Sequence, residues 1–302
     1  MIKIKPNISL FKKHISEITP IIHKKIQSLK KSFFIKKDTI KCLKHLSNKK
    51  EIENILSANV EQLRLYVEFF KNTYPDSIDE KSELNKILRN IFVKEYDNWC
   101  SRTTYGAYIF VQEIDLKTCP YCNRNYTFTV VNKNGKMRPQ IDHFYPKSKY
   151  PFFAMSFYNL IPSCPSCNHT KKEKFDNELI NPYSAKSEDI SFTYTPNKID
   201  FIEVEKKKYN FDNFEIDIKG NKENIELFKL KELYEQHKDI VLELLIKKAY
   251  YPKSYIKELS RFGFSEDEIY RYLFSNYKQD KDLHKRPLSK LIKDISNELG
   301  IM

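Results

Sequence analysis

The chain has 302 residues, 40% hydrophobic and 31% charged, a balance that fits two or three packed globular units and excludes a disordered polymer. No apolar run is long enough to span a bilayer and the opening MIKIKPNISLFKKH holds no signal-peptide core, so a protein of the cytoplasm with no membrane partner is expected. The net charge of +13 favours a polyanionic partner such as nucleic acid, and six cysteines in a reducing compartment argue for metal binding over disulfides.

Residues 1–117 read mainly as helix. Ile52, Ile55, Leu56, Asn59, Leu63, Tyr66, Val67 and Phe70 keep a helical apolar period, as do Leu84, Ile87, Leu88, Ile91 and Phe92, with Pro75 and Asp76 turning between them. Pro20 is expected to split a first helix around residues 10–29 into two pieces. Lysines crowd this region (Lys24, Lys25, Lys30, Lys31, Lys36, Lys37, Lys49, Lys50), and a solvated face explains them slightly better than a nucleic-acid patch.

Residues 118–183 carry the chemistry. Residues 126–131 are β-branched and aromatic, Asn134-Gly135 is a hairpin turn signal, and a second strand runs into Ile141. The local order is therefore strand, turn, strand, loop, and a short helix opening near Cys164. Residues 184–302 begin with three strand-like runs at 190–194, 199–204 and 214–218. A long helix over 223–249 is expected next, then a helix opened by a Ser265-to-Glu268 capping box, then a last helix over 288–299.

Cys119-Pro-Tyr-Cys122 and Cys164-Pro-Ser-Cys167 can place four thiolates around one tetrahedral zinc ion, structural because no coordination position stays open. Cys-Pro-Tyr-Cys is also a thioredoxin-like pattern, but that reading wants a strand before and a helix after, and it leaves the second pair unexplained. Cys42 and Cys100 lie in helical patterns and read as buried thiols. A miniature echo, Cys-Pro-x-Cys-Asn, occurs at 119–123 and again at 164–168.

Between the cysteine pairs stand Asp142-His143 and Asn159. This set suits phosphodiester hydrolysis: His143 as general base, Asp142 as a hard oxygen ligand for Mg²⁺ or Mn²⁺, Asn159 holding the histidine-bearing loop. Both members of the Asp-His pair can serve one site only at a strand end or bulge. Asn168 can offer an amide oxygen to the same ion, with His169 the second choice, and Lys171 is a candidate phosphate contact. A satisfied structural pair is the ordinary reading of an isolated Asp-His, and a turn residue that of an isolated Asn; the combination favours chemistry. His14, His23, His45, His237 and His284 have no such context, and His237 reads as a core residue of the long helix.

At these residues the chain resembles the HNH nucleases of the ββα-metal type. The match runs from Cys-x-x-Cys through Ile141-Asp142-His143-Phe144-x-Pro146-Lys147-Ser148 and Asn159-Leu160 to Cys164-x-x-Cys167-Asn168-x-x-Lys171, about 65 residues. The resemblance implies an α+β, mainly helical protein with a central zinc-stapled ββα-metal core flanked by helical regions. It implies catalytic roles for His143 and Asn159 and one catalytic divalent ion on Asp142 and Asn168, where the family often has histidine at the last position. The phrase at 142–148 and the Asn-Leu-Ile-Pro-Ser-Cys run are further similar to the HNH subunit of Septu and retron-associated anti-phage systems. That resemblance implies a DNA-cutting defence effector controlled by an ATPase partner, and this chain has no GxxxxGK[ST] loop of its own. An RNA (tRNA) substrate, a non-catalytic zinc module that binds nucleic acid, and a thiol-disulfide enzyme are the competing readings.

Overall fold

A computed structural model describes residues 1–29, 36–133, 135–175, 178–197, 202–203, 208–209, 213–251 and 253–301. Lys30, Lys31, the hairpin residue Asn134, and most of the expected strand at 199–204 lie outside the described residues. The chain divides into two compact units, one of Ile4–Asp115 with Phe128–Phe175, the other of Met1–Lys3, Leu116–Thr127 and Asp176–Met302. No described helix is long and apolar enough to cross a membrane.

The first unit opens with seven helices: α1 Ile8–Leu29, α2 Lys37–Leu46, α3 Lys49–Ser57, α4 Val60–Thr73, α5 Glu83–Leu88, α6 Lys94–Ser101 and α7 Ala107–Ile114. Contrary to expectation, Pro20 does not split α1. It stands on the exposed side, while Leu10, His14, Ile18, Ile22 and Ile26 form one buried stripe, so packing outweighs the lost backbone bond. The apolar period over 52–70, by contrast, covers two helices. Asn59 accepts from the Gln62 backbone and Gln62 answers to the Asn59 backbone, a capping box that starts α4 afresh. A π-helical turn, Arg89–Val93, joins α5 to α6. Among the lysines of this region Lys25 pairs with the buried Glu95 at 2.8 Å, and Lys50 pairs with Glu53. Cys42 is buried, which pushes its thiol up to about 12, whereas Cys100 is only half-buried.

The same unit holds two small antiparallel sheets and a helix. β1 Val130–Asn132 pairs with β2 Gly135–Met137, so a hairpin forms but Gly135 is a strand residue paired with Asn132, and the strand expected to run into Ile141 is a separate one. β3 Gln140–His143 pairs with β4 Leu160–Ser163, and α8 Pro165–Lys171 follows directly. β3, β4 and α8 are the ββα element. Sequence patterning reads β4 as loop, because Pro162 cannot donate to a ladder and only four residues take part. In the structure Pro162 stands opposite Ile141 in a two-stranded sheet.

The second unit is built on β5 Ile190–Pro196 paired antiparallel with β8 Phe214–Gly220, with the short strands β6 Ile202–Glu203 and β7 Lys208–Tyr209 paired to each other. The expected long helix is three: α9 Lys222–Leu227, α10 Leu230–Glu235 and α11 Lys238–Tyr250. Lys229 takes a left-handed conformation, φ 48°, that ends the first, and His237 caps the third instead of sitting mid-helix. Arg124 donates to the His237 imidazole at 2.9 Å, so this histidine is a half-buried polar contact, not a core residue. α12 Lys253–Arg261, α13 Glu266–Phe274 with its Ser265–Glu268 box, and α14 Ser289–Glu298 complete the unit.

His14 is the least expected histidine. It is fully buried, donates from Nε2 to the Met155 carbonyl at 2.7 Å, and accepts from the Tyr105 hydroxyl at 2.8 Å. Trp99, Phe110 and Phe157 surround its ring. Burial lowers its pKa from the ordinary 6.5 to about 4. A neutral imidazole in the fold that ionises more readily when unfolded stabilises fully above pH 6.5, and that stability is lost as pH falls toward 4. Between pH 7 and pH 4 the wild type is expected to lose about 2–3 kcal/mol through this group. His14→Gln should be less stable at pH 7 yet show a shallower fall on acidification, read by denaturant unfolding at several pH values. An equally steep fall would assign the acid sensitivity elsewhere.

Candidate active site

β3 ends at His143, and that ending solves the geometric problem of an adjacent pair. Asp142 and His143 both line one cavity of about 340 Å³, together with Gln140, Asn168, Tyr96 and Lys147. Both are almost wholly buried, at 3% and 7% exposure. His143 Nε2 lies 3.0 Å from the Ala154 carbonyl, which can only accept, so Nε2 carries the hydrogen and Nδ1 is the basic nitrogen. The Tyr96 ring meets the imidazole edge-on at 4.4 Å between centroids. Burial first, then the nearby Lys147 ammonium, holds the imidazole at a pKa of about 3 against an ordinary 6.5, so it is neutral near pH 7.

Asn159 precedes β4 and is completely buried. Its Oδ1 accepts from the Tyr145 backbone at 2.7 Å, its Nδ2 donates to the Phe153 carbonyl at 3.0 Å, and its own carbonyl accepts from Phe144 at 3.0 Å. The two residues that follow His143 are thus tied to the residue that opens β4. Asn159 does not line the cavity. Its expected place among the catalytic residues becomes a positioning one.

Lys171 requires a second correction. As a phosphate contact it would have to face the cavity, but it is fully buried and is not among the lining residues. Its ammonium sits 3.3 Å from the Asp142 carboxylate and donates to the His143 carbonyl at 2.8 Å. Lys171, the last residue of α8, therefore anchors that helix to the end of β3. The cations on the cavity wall are its neighbour Lys172, with Lys147 and Arg138.

Asn168 lines the cavity; His169 is exposed on α8 and does not. The Asn168 Nδ2 donates to Gln140 Oε1 at 2.6 Å, which turns its amide oxygen away from that partner. Carboxylate and amide oxygens are the hard donors that Mg²⁺ or Mn²⁺ takes, so the Asp142 and Asn168 side chains fit such an ion. The Cys-Pro-x-Cys-Asn echo separates here into two roles. Asn123, at φ 48°, is buried and accepts from Ser289 Oγ and the Lys290 backbone, while its own carbonyl accepts from Leu288. It braces the first cysteine turn against the start of α14, and Tyr234 donates to the Cys122 carbonyl at 2.6 Å from α10.

The sulfur atoms of Cys119, Cys122, Cys164 and Cys167 lie within 4.8 Å of one another and all four residues are buried. Four thiolates around an ion at 2.3 Å stand about 3.8 Å apart, so the cluster can hold one metal ion, and zinc suits an all-sulfur set. A lone redox pair would not bring four sulfurs together.

Gln140 and Arg138 escaped the sequence reading, although stepping back by two along a strand from Asp142 reaches both, since alternate residues share a face. Lys147 stands inside the quoted motif and was given no role. Tyr96 comes from α6, far away in sequence, and no local signal marks it.

Residues 119–176 match the family model described as HNH endonuclease, a span that contains both cysteine pairs, Asp142, His143, Asn159 and Asn168. No curated protein and no solved structure matches the chain.

The Asp142–Lys171 pair gives a sharp expectation. Lys171→Met leaves a buried carboxylate without its ammonium and should cost about 3–5 kcal/mol, whereas Asp142→Asn with Lys171→Met should recover part of that loss. Equilibrium unfolding of the single and double variants measures the coupling; additive losses would mean the pair does not hold β3 to α8.

Proposed function

We propose that this protein is a metal-dependent HNH endonuclease that hydrolyses phosphodiester bonds of DNA. The observation that carries the reading is the state of His143: a neutral imidazole, oriented by the Ala154 carbonyl through Nε2, in one cavity with Asp142 and Asn168. A general base needs that combination of orientation, access and an unprotonated lone pair.

In this reading Asp142 and Asn168 hold one Mg²⁺ or Mn²⁺ ion, which stabilises charge on the phosphoryl and leaving oxygens when bound. His143 Nδ1 accepts the proton of the attacking water. Asn159 and the Ala154 carbonyl keep the imidazole from swinging away, and Lys171 holds the Asp142 carboxylate in place by a contact at 3.3 Å. Cys119, Cys122, Cys164 and Cys167 hold a structural zinc ion.

The biological setting we propose is that of a bacterial anti-phage effector under the control of an ATPase subunit. Its support is the sequence similarity at 142–148 and 159–164 to the Septu and retron-associated nucleases.

His143→Ala should reduce plasmid cleavage with Mg²⁺ or Mn²⁺ by roughly a hundredfold or more, with the fold and the zinc retained. Wild-type rates in that variant would remove the base assignment. Cleavage of RNA and not DNA by the wild type would move the substrate class. Cys164→Ser should lose bound zinc, measured by metal analysis, and lower the melting temperature. Full zinc content in that variant would remove the four-cysteine site.

A further inference from the structure

The β1–β2 hairpin stands apart from the ββα element, and its properties are unusual for a sheet. Every residue of both strands is exposed, including Val130 at 41%, Val131 at 49% and Met137 at 59%. A two-stranded ribbon that covers no core gains little from burial. Residues 128–138, FTVVNKNGKMR, contain three cations and no acid.

The ribbon also leads to the cavity. Arg138, immediately after β2, is a cavity-lining residue. Its guanidinium lies 5.4 Å from the centre of the Tyr108 ring on α7, and the Lys136 ammonium lies 5.9 Å from the same ring. Tyr108 thus lies close to both Lys136 and the cavity-lining Arg138, and Lys147 and Lys172 add positive charge to the cavity wall. Cations spaced along one track match a phosphate backbone, and a two-stranded β-ribbon has the width of the B-DNA major groove.

From these observations we infer that the β1–β2 hairpin, with Tyr108, Lys136 and Arg138 at its base, is the docking element for a B-form DNA duplex. The ribbon enters a groove while Arg138 and Lys136 grip the backbone that continues into the cavity. The apolar residues Val130, Val131 and Met137 then meet sugars and base edges instead of a protein core. This inference rests on the nuclease reading above and deepens it by naming the substrate surface.

The test uses the full chain carrying His143→Ala, so that substrate is bound and not cut. Fluorescence anisotropy with labelled duplex DNA, single-stranded DNA and an RNA hairpin is followed over a series of salt concentrations. Adding Lys136→Ala and Arg138→Ala should weaken duplex binding by roughly tenfold or more and lower the salt slope by about two. Lys136→Arg with Arg138→Lys should restore both, and the fold should be retained throughout, because neither side chain is fully buried. Equal affinity and slope in the alanine variant would overturn the docking surface and leave the nuclease reading standing. Binding of only single strands or RNA would overturn the duplex assignment. Binding of none of the three would overturn the nuclease reading and the surface with it.

Discussion

The four-residue ladder between Gln140–His143 and Leu160–Ser163 is the constraint on which the site depends. Its register puts His143 opposite Leu160, so the strand stops at the proposed base. Asn159 stands one residue before the partner strand and Cys164 one residue after it. A slip of one residue would turn every side chain of β3 to the other face and detach the Asn159 clasp from the Tyr145 backbone. Such a short ladder has little stability of its own. The polar contacts around it therefore decide whether the pair Asp142-His143 is held in a working arrangement.

Those contacts share one logic. They hold the backbone next to a functional side chain or, at Asp142 and His143, an atom of the side chain itself. Asn159 engages the main chain of Tyr145 and Phe144, Lys171 engages the carbonyl of His143, and the Ala154 carbonyl takes the Nε2 hydrogen of His143. The reactive Nδ1 of His143 and the amide oxygen of Asn168 are left to the cavity. Burying a lysine beside an aspartate is expensive unless the two are paired and the remaining protons are used. Here a second acceptor, the His143 carbonyl, meets that condition and couples α8 to β3.

Much of the site was legible because its chemistry needs particular residue types at short spacings. The cysteine pairs, Asp142, His143 and Asn168 could be read without any fold, and His143 was expected at a strand end. Lys171 could not be read correctly: sequence shows a cation one turn past Cys167, and only packing turns it inward. Its neighbour Lys172 reaches the cavity instead. Asn159 is expected to hold the histidine-bearing loop, and it does so through the backbone of Tyr145 and Phe144. In the fold, helix breaks were the weak point. Pro20 is tolerated on an exposed face, whereas Asn59, Lys229 and His237 interrupt apolar periods that continue across them. Periodicity registers which residues are buried and is blind to caps and left-handed residues that restart a helix in the same phase. The β4 strand was hidden by Pro162, and Tyr96 and Tyr108 reach the site region from helices with no local motif.

The account gives distinct tasks to three groups of residues: thiolates that hold structure, a base and two oxygen donors that carry chemistry, and a cationic ribbon that meets the substrate. The central claim is the pairing of His143 with an ion on Asp142 and Asn168. Crystals of the full chain grown with Mn²⁺ test it directly through anomalous diffraction. A single manganese peak in the cavity, contacted by the Asp142 carboxylate and the Asn168 amide oxygen with Lys171 still buried against Asp142, is the predicted result. A peak held by His169, or a cavity without manganese at concentrations that support cleavage, would contradict it.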